Sequence, residues 1–100
     1  MKKIYVCSKL RGDIEKNIGK AEVYCKFVIS KGHIPYAPHI YFTHFINDNI
    51  PEERKIGIKF GIEWLKECDE IWVFDSDISD GMKKEIDFAK RNKISIILKF

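Results

Sequence analysis

The segment Ser79-Asp80-Gly81-Met82-Lys83-Lys84-Glu85 combines groups suited to holding an anion with a carboxylate. Ser79 or Asp80 can cap a helix through a side-chain oxygen, and Gly81 lets the backbone pass close to a bound group. Unpaired backbone N–H groups at such a helix start attract an anion such as a phosphate. Gly81 and Glu85 are four residues apart and share a helical face, so a missing side chain at 81 leaves the Glu85 carboxylate open toward the loop. A carboxylate presented this way suits nucleophilic attack on a sugar carbon. The same residues also describe an ordinary capped helix with a solvated Glu in its second turn.

Other polar groups invite the same double reading. In Ser8-Lys9-Leu10-Arg11-Gly12-Asp13, Lys9 and Arg11 could meet a phosphate, Arg11 through its planar fork. The segment lacks the glycine spacing of a dinucleotide fingerprint and the GK[ST] ending of a P-loop, and its plain reading is a solvated turn. Asp75 and Asp77 follow an apolar run, where a carboxylate could handle a sugar hydroxyl or protonate a leaving base; the alternative is loop acids and caps. His39 is expected to reach the same region, whereas His33, His39 and His44 together show no metal-ligand spacing, so neither a metal nor a cofactor is expected. Tyr36, Tyr41, Phe42 and Phe45 could stack on a base, but core or dimer contact accounts for them equally, and Trp64 and Trp72 read as core.

These groups need a scaffold. Ile4–Cys7 is a short β-prone apolar run, Ile34–Ala37 a second whose Pro35 points to a sheet edge, Ile71–Phe74 a continuous run typical of a central parallel strand, and Ile94–Leu98 a last strand. Between them, Ile14, Ile18, Ala21, Cys25, Val28 and Ile29 keep helical spacing, Gly32 supplies a stop, Pro51-Glu52-Glu53 starts a second helix, and Met82, Ile86 and Ala89 mark a third. Residues 38–49 read as irregular. Such alternation implies one α/β domain over residues 1–100, a Rossmann/flavodoxin-like three-layer arrangement with a parallel sheet of four or five strands. Ligands in such sheets bind beyond the carboxyl ends of the strands, and here those ends feed loops 8–14, 37–50 and 75–81. A phosphorylation receiver domain would need an acidic pair where this chain has Ser8-Lys9.

Composition narrows the partners. A net charge of +3 on 33 charged residues, without runs of one sign, argues against nucleic acid and for a mild preference for anions. No stretch approaches the roughly 20 apolar residues of a membrane span, and the N-terminal apolar run is too short for a signal peptide. Cys7, Cys25 and Cys68 are odd in number and widely spaced, as expected of reduced thiols in a cytoplasm. A chain this short gains from self-association, so a homodimer or larger homo-oligomer is expected.

Tyr5-Val6-Cys7-Ser8-x-x-Arg11-Gly12, Cys68-Asp69-Glu70-Ile71-Trp72-Val73-Phe74 and Ser79-x-Gly81-Met82-x-x-Glu85 followed by Ala89 together resemble the nucleoside 2-deoxyribosyltransferase-like superfamily, in its order and over nearly the whole chain. Ala37-Pro38-His39-x-Tyr41-Phe42 is similar to small bacterial and phage members. The resemblance implies that Glu85 is the nucleophile at C1′ and that Tyr5 lies beside it. It also implies that Gly81 and Met82 belong to the ligand site. Ser79 stands where the related deoxynucleoside 5′-monophosphate N-glycosidases place a phosphate-contacting Ser, which with Arg11-Gly12 favours a phosphorylated substrate. The implied chemistry is the two-step retaining route of glycosidases. The family's base-side acid falls here on Gly61, leaving Glu63, Asp69 and Asp75 as stand-ins. The expected function is therefore cleavage or deoxyribosyl transfer at the N-glycosidic bond of a nucleotide or nucleoside. Two alternatives remain: non-catalytic binding of a nucleotide or nucleotide-derived signal, and a pure interaction module.

Overall fold

The computed structural model describes residues 1–100. The elements run β1 (Lys3–Cys7), α1 (Ile14–Ser30), β2 (Ile34–Tyr36), α2 (Pro38–Phe42), α3 (Pro51–Leu65), β3 (Glu70–Val73), α4 (Asp80–Arg91) and β4 (Ser95–Leu98). The four strands form one sheet in the order β2-β1-β3-β4, and every pairing is parallel. In that order β1 and β3 occupy the centre. The chain reverses its direction of travel across the sheet between them, which puts the crevice for a ligand at their carboxyl ends.

The two central strands are apolar on both faces because each face is covered. Their side chains alternate, as strand geometry requires. Ile4, Val6, Trp72 and Phe74 pack with Val28, Tyr24 and Cys25 of α1. Tyr5, Cys7, Ile71 and Val73 pack on the other face with Leu65 of α3 and with Met82 and Ala89 of α4. A helix on one face and two on the other give three layers. Complete burial of a side chain such as Leu65, Val28 or Ile71 contributes about 1.5–3 kcal/mol. Alternation also decides the chemistry. Tyr5 and Cys7, two residues apart, both project toward α4.

Local signals fix the helix ends. Asp13 caps α1 by accepting the N–H of Lys16 at 3.1 Å, and Gly32, at φ +81°, turns the chain toward β2. Pro51 opens α3, with Glu52 and Glu53 at its positive end. Ser79 caps α4, accepting the N–H of Met82 at 3.2 Å. Residues 38–42 depart from the sequence expectation. They form a helical turn rather than irregular chain, because Pro38 is pre-set for a first helical position and Phe42 gains Phe60 and Trp64 as packing partners. No helix is long and apolar enough to cross a membrane.

Candidate functional site

A cavity opens at the carboxyl ends of β1 and β3, between the loop after β1, α2 with its following loop, one face of α3 and the start of α4. Its volume is about 100 Å³. That is below the roughly 300–1,000 Å³ of a site enclosing a drug-sized ligand, so a larger ligand would extend into the open mouth.

Glu85 is in the second turn of α4, and its carboxyl forms part of the wall. The Tyr5 hydroxyl donates to its Oε2, and the Cys7 thiol approaches Oε1 at 3.5 Å. Burial pushes the Glu85 carboxyl up to about 7, against the opposing pull of the Tyr5 and Cys7 hydrogen bonds. Tyr5 and Cys7 are raised well above their ordinary values, first by burial and then by the neighbouring carboxylate. Near neutral pH the Glu85 carboxyl is therefore poised between its two forms, while the phenol and thiol stay protonated and hold it in place.

Gly61 explains why that carboxyl is reachable. A Cβ on Gly61 would lie 3.0 Å from the Tyr5 hydroxyl and 3.5 Å from Glu85 Oε2. At Gly81 a Cβ would meet nothing within 4 Å. The glycine that clears the space is thus on α3, not at the start of α4 as the four-residue spacing suggested. Gly81 still lines the cavity, as does Met82, whose side chain is almost wholly in the core.

One flank is polar. Ser79 lines it, and while its oxygen caps α4 its hydroxyl hydrogen is free to donate. The N–H groups of Asp80 and Gly81 precede the first intrahelical bond of α4 and point the same way. Arg11 also lines the cavity. Its loop is pinned by Asn17 of α1, whose Nδ2 donates to the carbonyls of Leu10 and Arg11, each at 3.0 Å. Guanidinium groups, hydroxyls and free helix N-terminal N–H groups are of the kind that bind anions. Ser8 and His39 also line the cavity, with Ser8 Oγ 3.2 Å from His39 Nε2. Burial lowers His39 to about 4, opposed by the charge of Asp75, so the ring is neutral at neutral pH.

Lys9, Gly12, Asp75 and Asp77 do not line the cavity, and of the aromatics offered for stacking on a base only Phe42 does. Asp75 is occupied elsewhere, accepting the Lys9 N–H at 2.8 Å and the Tyr24 hydroxyl at 3.3 Å, and so ties the two loops together. Asp77 pairs with Lys9 Nζ on the surface. Gly12 serves the turn, at φ +100°. The stand-in acids are also elsewhere. Glu63 faces solvent and pairs with Lys66, and Asp69 accepts the Lys3 N–H at the opposite end of the sheet. Conversely, the sequence reading missed Cys7, Thr43, Asp48 and Arg54. For Cys7 the signal was present, since strand alternation places it beside Tyr5. Arg54, Gly57, Ile58 and Gly61 also share one helical face, a pattern readable once α3 was placed.

Two solved structures share this architecture. The 2-deoxyribosyltransferase of the psychrotolerant bacterium Bacillus psychrosaccharolyticus superposes with a TM-score of 0.70 at 22% identity, over 96% of this chain and 70% of that one. The 2-desoxiribosyltransferase of Leishmania mexicana gives a TM-score of 0.68 at 16% identity, over 98% of this chain and 63% of that one. The class defined is an α/β protein with the fold of the 2-deoxyribosyltransferases. Within it, a family model matches residues 2–99, and the chain belongs to that family, described as domain of unknown function DUF7768. No curated protein matches the sequence.

Proposed function

We propose that this chain acts on the N-glycosidic bond of a 2′-deoxynucleoside 5′-monophosphate, cleaving it or transferring the sugar, with Glu85 as nucleophile. The observation that carries the reading is the Glu85 carboxyl, held by Tyr5 in the wall of the cavity at the strand ends. A fold shared with 2-deoxyribosyltransferases supports it. Fold alone does not assign activity; the site does.

In the first step a Glu85 oxygen bonds to C1′ while the C1′–N bond breaks. The bonding pair leaves with the base, which takes up a proton from water. In the second step water, or the nitrogen of another base, attacks C1′, loses its proton and releases the Glu85 carboxylate. This is the two-step retaining logic of glycosidases. Tyr5 orients the carboxyl and weakens its bond to the proton, since its hydrogen bond favours the charged form. Arg11, Ser79 and the N-terminal N–H groups of α4 would bind the 5′-phosphate. The preference for a nucleotide over a nucleoside rests on this end of the cavity.

A second reading is that the chain binds a nucleotide without turning it over. It is favoured by the positions of Glu63, Asp69 and Asp75, all outside the cavity. Chromatography of free base released from each of the four deoxynucleoside monophosphates separates the two. The catalytic reading predicts release by the wild type, rising with pH through about 7 as Glu85 ionises, and no release by Glu85→Gln. Nucleotide binding without release by either protein refutes the catalytic reading.

A further inference from the structure

Asp48 and Arg54 form a polar pair in the wall of the cavity. Asp48 lies in the loop between α2 and α3, and Arg54 in the first turn of α3; both line the cavity. Their contact is loose, with Arg54 Nε 3.9 Å from Asp48 Oδ1. The other oxygen, Oδ2, is buried and meets no hydrogen-bond donor. Such an atom carries an unrecovered desolvation cost. The terminal torsion of Asp is broad, so a small rotation presents an oxygen to a bound group. What is missing is an N–H donor.

Its position along α3 identifies what would supply that donor. Arg54 and Gly61 are seven residues apart on one face, about 10 Å along the axis at 1.5 Å per residue. A Cβ at Gly61 would lie within 3.5 Å of both Tyr5 and Glu85, so that end of the face borders the pair. The span from carboxylate to polar pair therefore suits a sugar C1′ followed by one heterocyclic base. Between them the cavity is lined mainly by apolar groups, Gly57 and Ile58 of α3 with Phe42 and Ile46, and an aromatic ring such as that of Phe42 is a surface on which a base can stack.

We infer that Asp48 and Arg54 read the outer edge of the nucleobase, Asp48 accepting from a ring or exocyclic N–H and Arg54 donating to the adjacent oxygen or ring nitrogen. Carboxylates accept from base amino groups and guanidinium groups donate to base acceptors in the same manner elsewhere. The inference deepens the proposed function and rests on its placing the sugar at Glu85. It also gives the chain a base-side carboxylate that does not come from the helix position occupied by Gly61.

The test is calorimetric binding of the four deoxynucleoside monophosphates and of 2-deoxyribose 5-phosphate, which has no base. Asp48→Ala and, in case that variant fails to fold, Arg54→Met are compared with the wild type. Each is expected to weaken the preferred nucleotide by about 10- to 100-fold, as for a hydrogen bond to a charged group, and to leave the sugar phosphate within twofold. In the wild type, the preferred nucleotide methylated at its edge N–H is expected to lose a similar factor, and in Asp48→Ala to lose little more. Equal weakening of nucleotide and sugar phosphate, or unchanged nucleotide binding, overturns the inference. Base-dependent binding without turnover upholds it while refuting catalysis. If the wild type binds no nucleotide, both fall.

Discussion

Replacing Glu85 by Gln should stabilise the protein, and the gain should grow with pH. The folded chain holds the Glu85 carboxyl at about 7 rather than 4.5, and each pH unit of displacement is worth about 1.4 kcal/mol. The folded state thus prefers the protonated form. Its contribution is fully present below pH 4.5 and is lost as pH rises through 7, because the folded chain binds the extra proton in that window. The loss totals about 3 kcal/mol by pH 8. Glutamine resembles the neutral acid and does not ionise. The difference between Glu85→Gln and wild type should therefore increase by about 3 kcal/mol from pH 4.5 to 8, or about 10 °C or more in Tm for a domain of this size. His39 opposes this trend in the wild type, since its lowered value gives stability above pH 6.5 that is lost as pH falls toward 4. Because both proteins carry His39, the difference isolates Glu85. Urea denaturation at half-unit pH steps measures it. A pH-independent difference would refute the claim that the fold stores an electrostatic cost at Glu85.

Gly61→Ala gains up to about 1 kcal/mol of helix propensity but sets a methyl 3.0 Å from the Tyr5 hydroxyl. Its base-release rate should fall at least about tenfold with little change in Tm, and an unchanged rate would contradict the close approach. Tyr5→Phe removes the hydrogen bond that favours the Glu85 carboxylate, so the pH–rate midpoint should move above 7; a midpoint at or below the wild-type value contradicts that role. Asp75→Ala strands the Lys9 N–H and the Tyr24 hydroxyl and should cost about 1–3 kcal/mol in urea melts. Asp77→Ala, at an exposed pair, should change stability by no more than about 0.5 kcal/mol. Similar costs for the two would refute the distinct roles given to these aspartates.

The fold was legible because each element carries its own local instruction. Asp13 and Ser79 cap, Pro51 initiates, Gly32 stops, and the apolar runs of β1 and β3 announce a sheet covered on both faces. The polar flank followed from the rule that ligands sit at strand ends, and the structure brings Arg11, Ser79 and Glu85 together there. What escaped depends on contacts between distant segments. The spacing of Gly81 and Glu85 suggested the wrong glycine, because the space around Glu85 is set by α3 packing on α4, which no local pattern reports. Asp75 looked free because a hydrogen bond to a backbone N–H sixty-six residues away leaves no trace in the sequence. Asp48 lies in a stretch without periodicity, and only the folded arrangement turns it toward the cavity.

The central claim is that Glu85 bonds to the sugar. Intact-mass and peptide mass spectrometry of the wild type, quenched in acid during reaction with a deoxynucleoside monophosphate, tests it most directly. The account predicts an added deoxyribosyl phosphate on the peptide containing Glu85 and no adduct on Glu85→Gln. Base release by Glu85→Gln at the wild-type rate, with no adduct on either protein, would contradict it.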